Sequence, residues 1–150
     1  MKEIEYKYLV DTEQWKLLDK PAPELIVQGF ISKSVESTVR VRIKGDKAYL
    51  TIKGKTVGIT RQEFEYEIPV YEAEELLDGF TPKQIRKHRY EIQHAGHIWE
   101  VDEFHGPLEG LILAELEVGS EDEKFELPNW VTEDVSTNAA YYNAVLIDKC

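Results

Sequence analysis

Polar and apolar residues alternate at period two along most of this chain, and the polar members are sorted by charge. Period two is the repeat of a β-strand, whose successive side chains point to opposite faces. Glu3, Glu5 and Lys7 share one face, with Ile4, Tyr6 and Tyr8 on the other. Arg40, Arg42 and Lys44 alternate with Val39, Val41 and Ile43, and Tyr49, Thr51 and Lys53 with Leu50 and Ile52. Arg61, Glu63, Glu65 and Glu67 alternate with Phe64, Tyr66 and Ile68. Lys87 and Arg89 flank His88, Glu100 and Asp102 flank Val101, and Glu115 and Glu117 flank Leu116.

The pattern predicts eight strands: Lys2–Val10, Leu25–Ser32, Thr38–Lys44, Lys47–Lys53, Thr60–Ile68, Lys87–His94, His97–Phe104 and Leu111–Val118. Gly45-Asp46 and Ala95-Gly96 read as tight hairpin turns, and Gly54–Gly58 as a longer connection. Short helices are expected between strands. Asp11 is a candidate N-cap for Thr12–Asp19, and Tyr71–Asp78 ends before Gly79. Thr81-Pro82 followed by Gln84 has the form of a capping box opening another helix. A last helix is expected over roughly Ser136–Asp148. Many strands with few helices imply an antiparallel α+β fold, closed or nearly closed.

A sheet wetted on one face also alternates charge with hydrophobe, and for any single strand that is the simpler explanation. The sorting of the charges favours another. Like charges two apart on one strand repel, yet basic-x-basic and acidic-x-acidic recur in separate strands. If these faces line the inside of a barrel, the apolar faces point outward and need helices or loops to cover them. The interior then holds a basic set, Arg40, Arg42, Lys53, Arg61, Lys87 and Arg89. It also holds an acidic set, Glu3, Glu5, Glu63, Glu65, Asp102, Glu115 and Glu117. Guanidinium forks and ammonium groups suit phosphate oxygens. Carboxylates suit hard divalent cations such as Mg²⁺ and Mn²⁺. Crowded carboxylates cannot all ionise without a cation. Together the two sets read as a site for a metal–polyphosphate complex.

The same residues carry a resemblance. Glu3-Ile4-Glu5-Tyr6-Lys7 is similar to the ExExK signature of the CYTH superfamily, the triphosphate tunnel metalloenzymes. The similarity continues in order through Arg40-Val-Arg42, Thr51-Ile-Lys53, Arg61-Gln-Glu63-Phe-Glu65, Lys87-His-Arg89, Trp99-Glu-Val-Asp102 and Ala114-Glu115-Leu-Glu117. It implies one domain over residues 1–150, an eight-stranded antiparallel β-barrel with short helices packed outside, and a tunnel for a linear triphosphate. By carry-over, Arg40, Arg42, Lys53, Lys87 and Arg89 would bind phosphate oxygens, with Arg61 contributing. Glu3, Glu5, Asp102, Glu115 and Glu117 would hold one or two Mg²⁺ or Mn²⁺ ions. Glu63 and Glu65 would support the metal, position water or balance charge. Lys7 would contact phosphate or assist proton transfer. The implied reaction is metal-assisted in-line hydrolysis, with no covalent phosphoenzyme. Inorganic tripolyphosphate is the first expected substrate, then thiamine triphosphate or a nucleoside triphosphate, then ATP in a class IV cyclase. A non-catalytic polyphosphate sensor is the alternative of a different class.

Composition sets outer limits. A single domain of 150 residues can bury a core without staples, and the one cysteine, Cys150, cannot form an internal disulfide. A formal charge of −11 argues against a nucleic-acid partner or an anionic membrane. The start, MKEIEYKYLV, lacks an apolar signal-peptide core, and no run approaches the ~20 apolar residues of a membrane helix. The cytoplasm is the expected location, and nothing in the sequence speaks to oligomeric state. Gly54-Lys55-Thr56 resembles the end of a P-loop, but Tyr49 occupies the position of the required first glycine. His88, His94, His97 and His105 lack metal-ligand spacing. Tyr141, Tyr142 and Asn143 read as packing or cap residues on a helix near a tunnel mouth.

Overall fold

All 150 residues are described in a computed structural model. Nine strands form one antiparallel sheet: β1 (Lys2–Val10), β2 (Glu24–Lys33), β3 (Ser37–Lys44), β4 (Lys47–Gly54), β5 (Thr60–Ile68), β6 (Ile85–His94), β7 (His97–Phe104), β8 (Ile112–Glu117) and β9 (Val131–Asp134). Their order is β5-β4-β3-β2-β6-β7-β8-β1-β9. A further pairing of β1 with β5 closes the first eight into a barrel. One edge of β1 is shared between two partners. Lys2, Glu3 and Ile4 face β5, while Tyr8 and Val10 face β9. The ninth strand is the one that the alternation did not reveal, since four residues are too few to show a period.

The expected hairpins form. Gly45 and the pair Ala95-Gly96 adopt positive φ (60°, 49° and 82°), the twist that tight antiparallel turns require. Asp11 caps α1 (Thr12–Leu17) by accepting from the Glu13 and Gln14 amides. The helix α2 (Val70–Phe80) runs through Gly79 instead of stopping before it. No helix follows Thr81-Pro82. The Thr81 hydroxyl donates back to the Leu77 carbonyl at 2.6 Å, and Gln84 Nε2 donates to the same oxygen at 3.2 Å. Both residues therefore finish α2, and the chain enters β6 at Ile85. Thr81 also sits against Gly29, where an added Cβ would lie 2.7 Å from it. That close approach locks the turn onto the barrel wall.

The expected C-terminal helix is broken into 3₁₀ turns at Ala139–Tyr141 and Ile147–Lys149 around a single α turn, α3 (Asn143–Leu146). Its first residues are committed elsewhere. The Lys7 amide donates to Ser136 Oγ at 2.8 Å, and Asn138 accepts from the Ala140 amide.

The main apolar core lies outside the barrel. Tyr8, Trp99, Val101, Ala114 and Leu116 face outward from β1, β7 and β8, and pack with Trp15 of α1 and Trp130. On the other side, Val41 and Ala48 pack under Ala73 and Leu77 of α2. A third cluster joins Phe30, Ile85, Phe104 and Leu113 to Leu146 and Ile147 of the C-terminal segment. Those four strand residues share the inward face, so this cluster fills part of the interior and leaves the rest polar. No helix is long and apolar enough to cross a membrane.

Trp99 is fully buried and packs against Tyr8, Phe125 and Trp130. Truncation there leaves a cavity, so Trp99→Ala is expected to cost about 3–5 kcal/mol, read from urea unfolding. A loss below ~1 kcal/mol would mean that the outer cluster is not the main core.

Candidate active site

The inward faces of the strands enclose a cavity of about 640 Å³. Of the sequence-predicted site residues, Glu3, Glu5, Lys7, Arg40, Arg42, Lys53, Arg61, Glu63, Glu65, Arg89, Glu115 and Glu117 all line it. Lys87 and Asp102 do not. Lys87 is 0% exposed, and its Nζ lies 2.8 Å from Asp102 Oδ2, behind Arg89. Lys87 and Asp102, the expected phosphate and metal residues, lie off the cavity lining and pair with each other. Both are consumed in a buried ion pair below the cavity wall.

Arg89 is the most heavily engaged cation. Its Nε and Nη2 grip Asp102 at 2.8 and 2.9 Å, Nη2 also reaches Glu115 at 2.9 Å, and Nη1 reaches Glu100 at 3.2 Å. Lys53 lies between Glu3 (3.0 Å) and Glu63 (3.3 Å), and Arg61 Nε is 3.5 Å from Glu3. Lys7 Nζ is 3.4 Å from Glu115 and donates to the Tyr141 carbonyl at 3.2 Å. Arg40 Nη2 donates to Thr51 Oγ1, which donates to Glu65, and Arg40 lies 3.6 Å from Glu65. Arg40 Nε is buried with no partner.

Arg42 differs from the other interior cations. Its Nε donates to Gln28 Oε1 at 2.8 Å, and no carboxylate comes within ion-pair distance. Burial, then the charges of Arg40 and Arg89, lower its pKa. Such an uncompensated guanidinium with unfilled donors suits an anion.

The acids divide in the same way. Burial opposes ionisation of Glu3, but Lys53 and Arg61 hold its pKa below the usual carboxylate value. Against burial, Lys7, a hydrogen bond from Glu5 and Arg89 hold Glu115 well below it. Against burial, Arg89 and Lys87 likewise lower Asp102. Burial, then the Glu115 carboxylate, pushes Glu5 well above the usual range. Burial and the charges of Glu3, Glu63 and Glu100 raise Glu117. Glu5 and Glu117 are also direct cross-strand partners on β1 and β8, without a basic partner of their own. Like charges placed opposite one another are destabilising. An all-oxygen donor set with this electrostatic demand fits a hard divalent cation. Three acidic side chains do not yet converge on one point. Glu115 is turned toward Arg89 and Lys7, so a cation drawing on it competes with those two residues.

Sequence reasoning missed Gln28, Glu100, Tyr142 and Asn143. Gln28 is fully buried between inward-facing Ile26 and Phe30, and a polar residue on that apolar stretch was its one signal. Asn143 Oδ1 accepts from Gln28 Nε2 at 2.8 Å and from Lys87 Nζ at 3.0 Å. Tyr142 lines the cavity, with its ring 5.9 Å from Lys7 Nζ.

The CYTH domain model matches residues 1–145. The chain belongs to the CYTH family. Among its CYTH relatives, an inorganic triphosphatase of Acetivibrio thermocellus is 45% identical over 147 residues, covering 97% of this chain and 93% of the relative. An inorganic triphosphatase of Nitrosomonas europaea is 34% identical over 154 residues, covering 97% of each. The solved structure of the inorganic triphosphatase NE1496 superposes with a TM-score of 0.68 at 30% identity, over 97% of this chain and 93% of that one. The closed eight-stranded barrel is thus the CYTH fold, as the order of motifs implied.

The raised Glu5 pKa has a signed consequence. Between the usual carboxylate range and its raised value, the folded protein binds a proton that the unfolded chain has lost. Stability is full below that window and falls as pH rises through it. Glutamine mimics the protonated acid. Glu5→Gln is therefore expected to be more stable than wild type in metal-free buffer, with a gap in thermal midpoint that widens as pH rises above the usual carboxylate range. A gap independent of pH would contradict the assigned cause.

Proposed function

We propose that this chain hydrolyses a linear triphosphate in the barrel cavity with a divalent cation, and that inorganic tripolyphosphate, cleaved to pyrophosphate and phosphate, is its preferred substrate. The carrying observation is the split charge of the cavity. The Arg42 guanidinium lacks a carboxylate, the buried Arg40 Nε lacks any partner, and Glu5 and Glu117 lack cations. A phosphate chain meets the first need and a divalent cation the second. The two inorganic triphosphatase relatives support the same substrate.

In this reading Arg40 and Arg42 grip phosphate oxygens, with Lys53, Arg61, Arg89 and Lys7 at the cavity wall. Asp102, itself paired with Lys87, fixes Arg89. Phosphate binding to Arg89 and Lys7 lets Glu115 turn toward Glu5 and Glu117, which are the residues that would hold Mg²⁺ or Mn²⁺. The bound ion would neutralise charge developing on the transferred phosphoryl group. Glu63 and Glu65 line the wall beside Lys53 and Arg40, where they can orient the attacking water. The substrate is a small molecule. The chain's acidity disfavours nucleic acid, and the reading needs no membrane; the cytoplasm fits it.

Purified protein should release phosphate rapidly from tripolyphosphate with Mg²⁺ or Mn²⁺, and not in chelator. ATP and thiamine triphosphate should be cleaved more slowly, with no cyclic AMP formed. Glu117→Gln is expected to lower turnover about 100-fold or more. Arg42→Ala is expected to raise KM about 10-fold or more, the value of a lost charged hydrogen bond. Metal-independent turnover, or binding without turnover, would refute the proposal.

A further inference from the structure

We propose that Asn143 is a positioning residue that aims Arg42 into the cavity through Gln28 and anchors the Lys87 ammonium. This inference rests on the triphosphatase reading above. Asn143 opens α3, outside the barrel strands, and its Oδ1 is the common acceptor of Gln28 Nε2 (2.8 Å) and Lys87 Nζ (3.0 Å). The buried Gln28 carboxamide is thereby held at both ends. Its nitrogen faces Asn143, so its oxygen faces Arg42 Nε at 2.8 Å.

Two partners specify this orientation: Arg42 Nε–H, a donor only, selects the Gln28 oxygen, and Asn143 Oδ1 supplies the acceptor for its nitrogen. A carboxamide rotated by half a turn occupies nearly the same volume but presents N–H groups where the oxygen was. Without the Asn143 acceptor, the buried Gln28 nitrogen is left unpaired, and the carboxamide is no longer held against the Arg42 Nε–H from its far side. That bond is the one protein hydrogen bond of Arg42. Lys87 would keep Asp102 as its remaining polar partner.

The identity of the residue fits the role. An asparagine supplies an acceptor for two donors without adding negative charge next to a phosphate site. An aspartate would pair with Lys87 and weaken the positive field that Arg42 shares with Arg40 and Arg89. The same turn contributes the Tyr141 carbonyl that accepts from Lys7 Nζ. The C-terminal segment thus sets two cationic regions of the cavity while contributing no charge to them.

The test compares Asn143→Ala, Gln28→Ala and the double variant with wild type, using tripolyphosphate and Mg²⁺. Each single change should raise KM about 10-fold, with a smaller effect on kcat. Because both act on one chain of hydrogen bonds, the double variant should stay within about twofold of the worse single variant. Leu146→Ala, which disturbs packing of the same segment, should lower the thermal midpoint but leave KM within about twofold. Should Asn143→Ala fail to fold, Asn143→Ser, which cannot reach both donors, should show the same KM effect. An unchanged KM in the Asn143 variants, multiplied effects in the double variant, or an equal KM rise in Leu146→Ala would overturn the inference. Wild-type protein inactive on tripolyphosphate would instead refute the functional reading on which it rests.

Discussion

Arg89 lies opposite Asp102 on neighbouring strands and grips it with two nitrogens, while its remaining contacts reach Glu100 and Glu115. One side chain so ties β6, β7 and β8 together across the barrel interior. A barrel with its charged face inward can close only if those charges find one another. Buried ion pairs contribute little net stability, because desolvation offsets their attraction. What they supply is register. Sliding β6 by one residue would point Lys87 and Arg89 into the outer apolar layer and strand Asp102, and breaking such a pair costs about 3–5 kcal/mol.

Most of the apolar packing and the charged cavity thus lie on opposite sides of the same sheet. The outward face carries the tryptophan and aliphatic clusters under α1, α2 and the connecting segments. Away from the Phe30, Ile85, Phe104 and Leu113 cluster, the inward face is released from packing and holds charge around the cavity. Within that face the charges are graded. Lys87 and Asp102 are spent on each other and on Arg89, which still lines the cavity. Arg42, Glu5 and Glu117 are left without opposite charges at close range. The residues that remain unneutralised are those with something to offer a ligand.

Much of this was legible in the sequence because it is local. The bounds expected for Lys2–Val10, Thr60–Ile68 and His97–Phe104 coincide with β1, β5 and β7. Of the thirteen residues that sorting of charge by strand assigned to the interior, eleven line the cavity, and Lys7, added by the resemblance, lines it too. What escaped is non-local. Thr81-Pro82 and Gln84 have the form of a capping box, yet their side chains bond backward to Leu77. The contact of Gln28 with Asn143 spans 115 residues, so no periodicity could announce it. Lys87 and Arg89 are equivalent by alternation. Only the depth of the wall separates a buried anchor from a residue that lines the cavity.

The proposed meeting point of anion and cation is the cavity that holds both unneutralised sets. Its most direct test is a crystal grown with Mn²⁺ and a non-hydrolysable triphosphate, with manganese located by anomalous scattering. The expected result is manganese at the Glu5, Glu115 and Glu117 carboxylates, with phosphate oxygens on Arg40 and Arg42 of the same cavity. Manganese bound at the outer surface, or a phosphate chain lying outside the barrel, would contradict it.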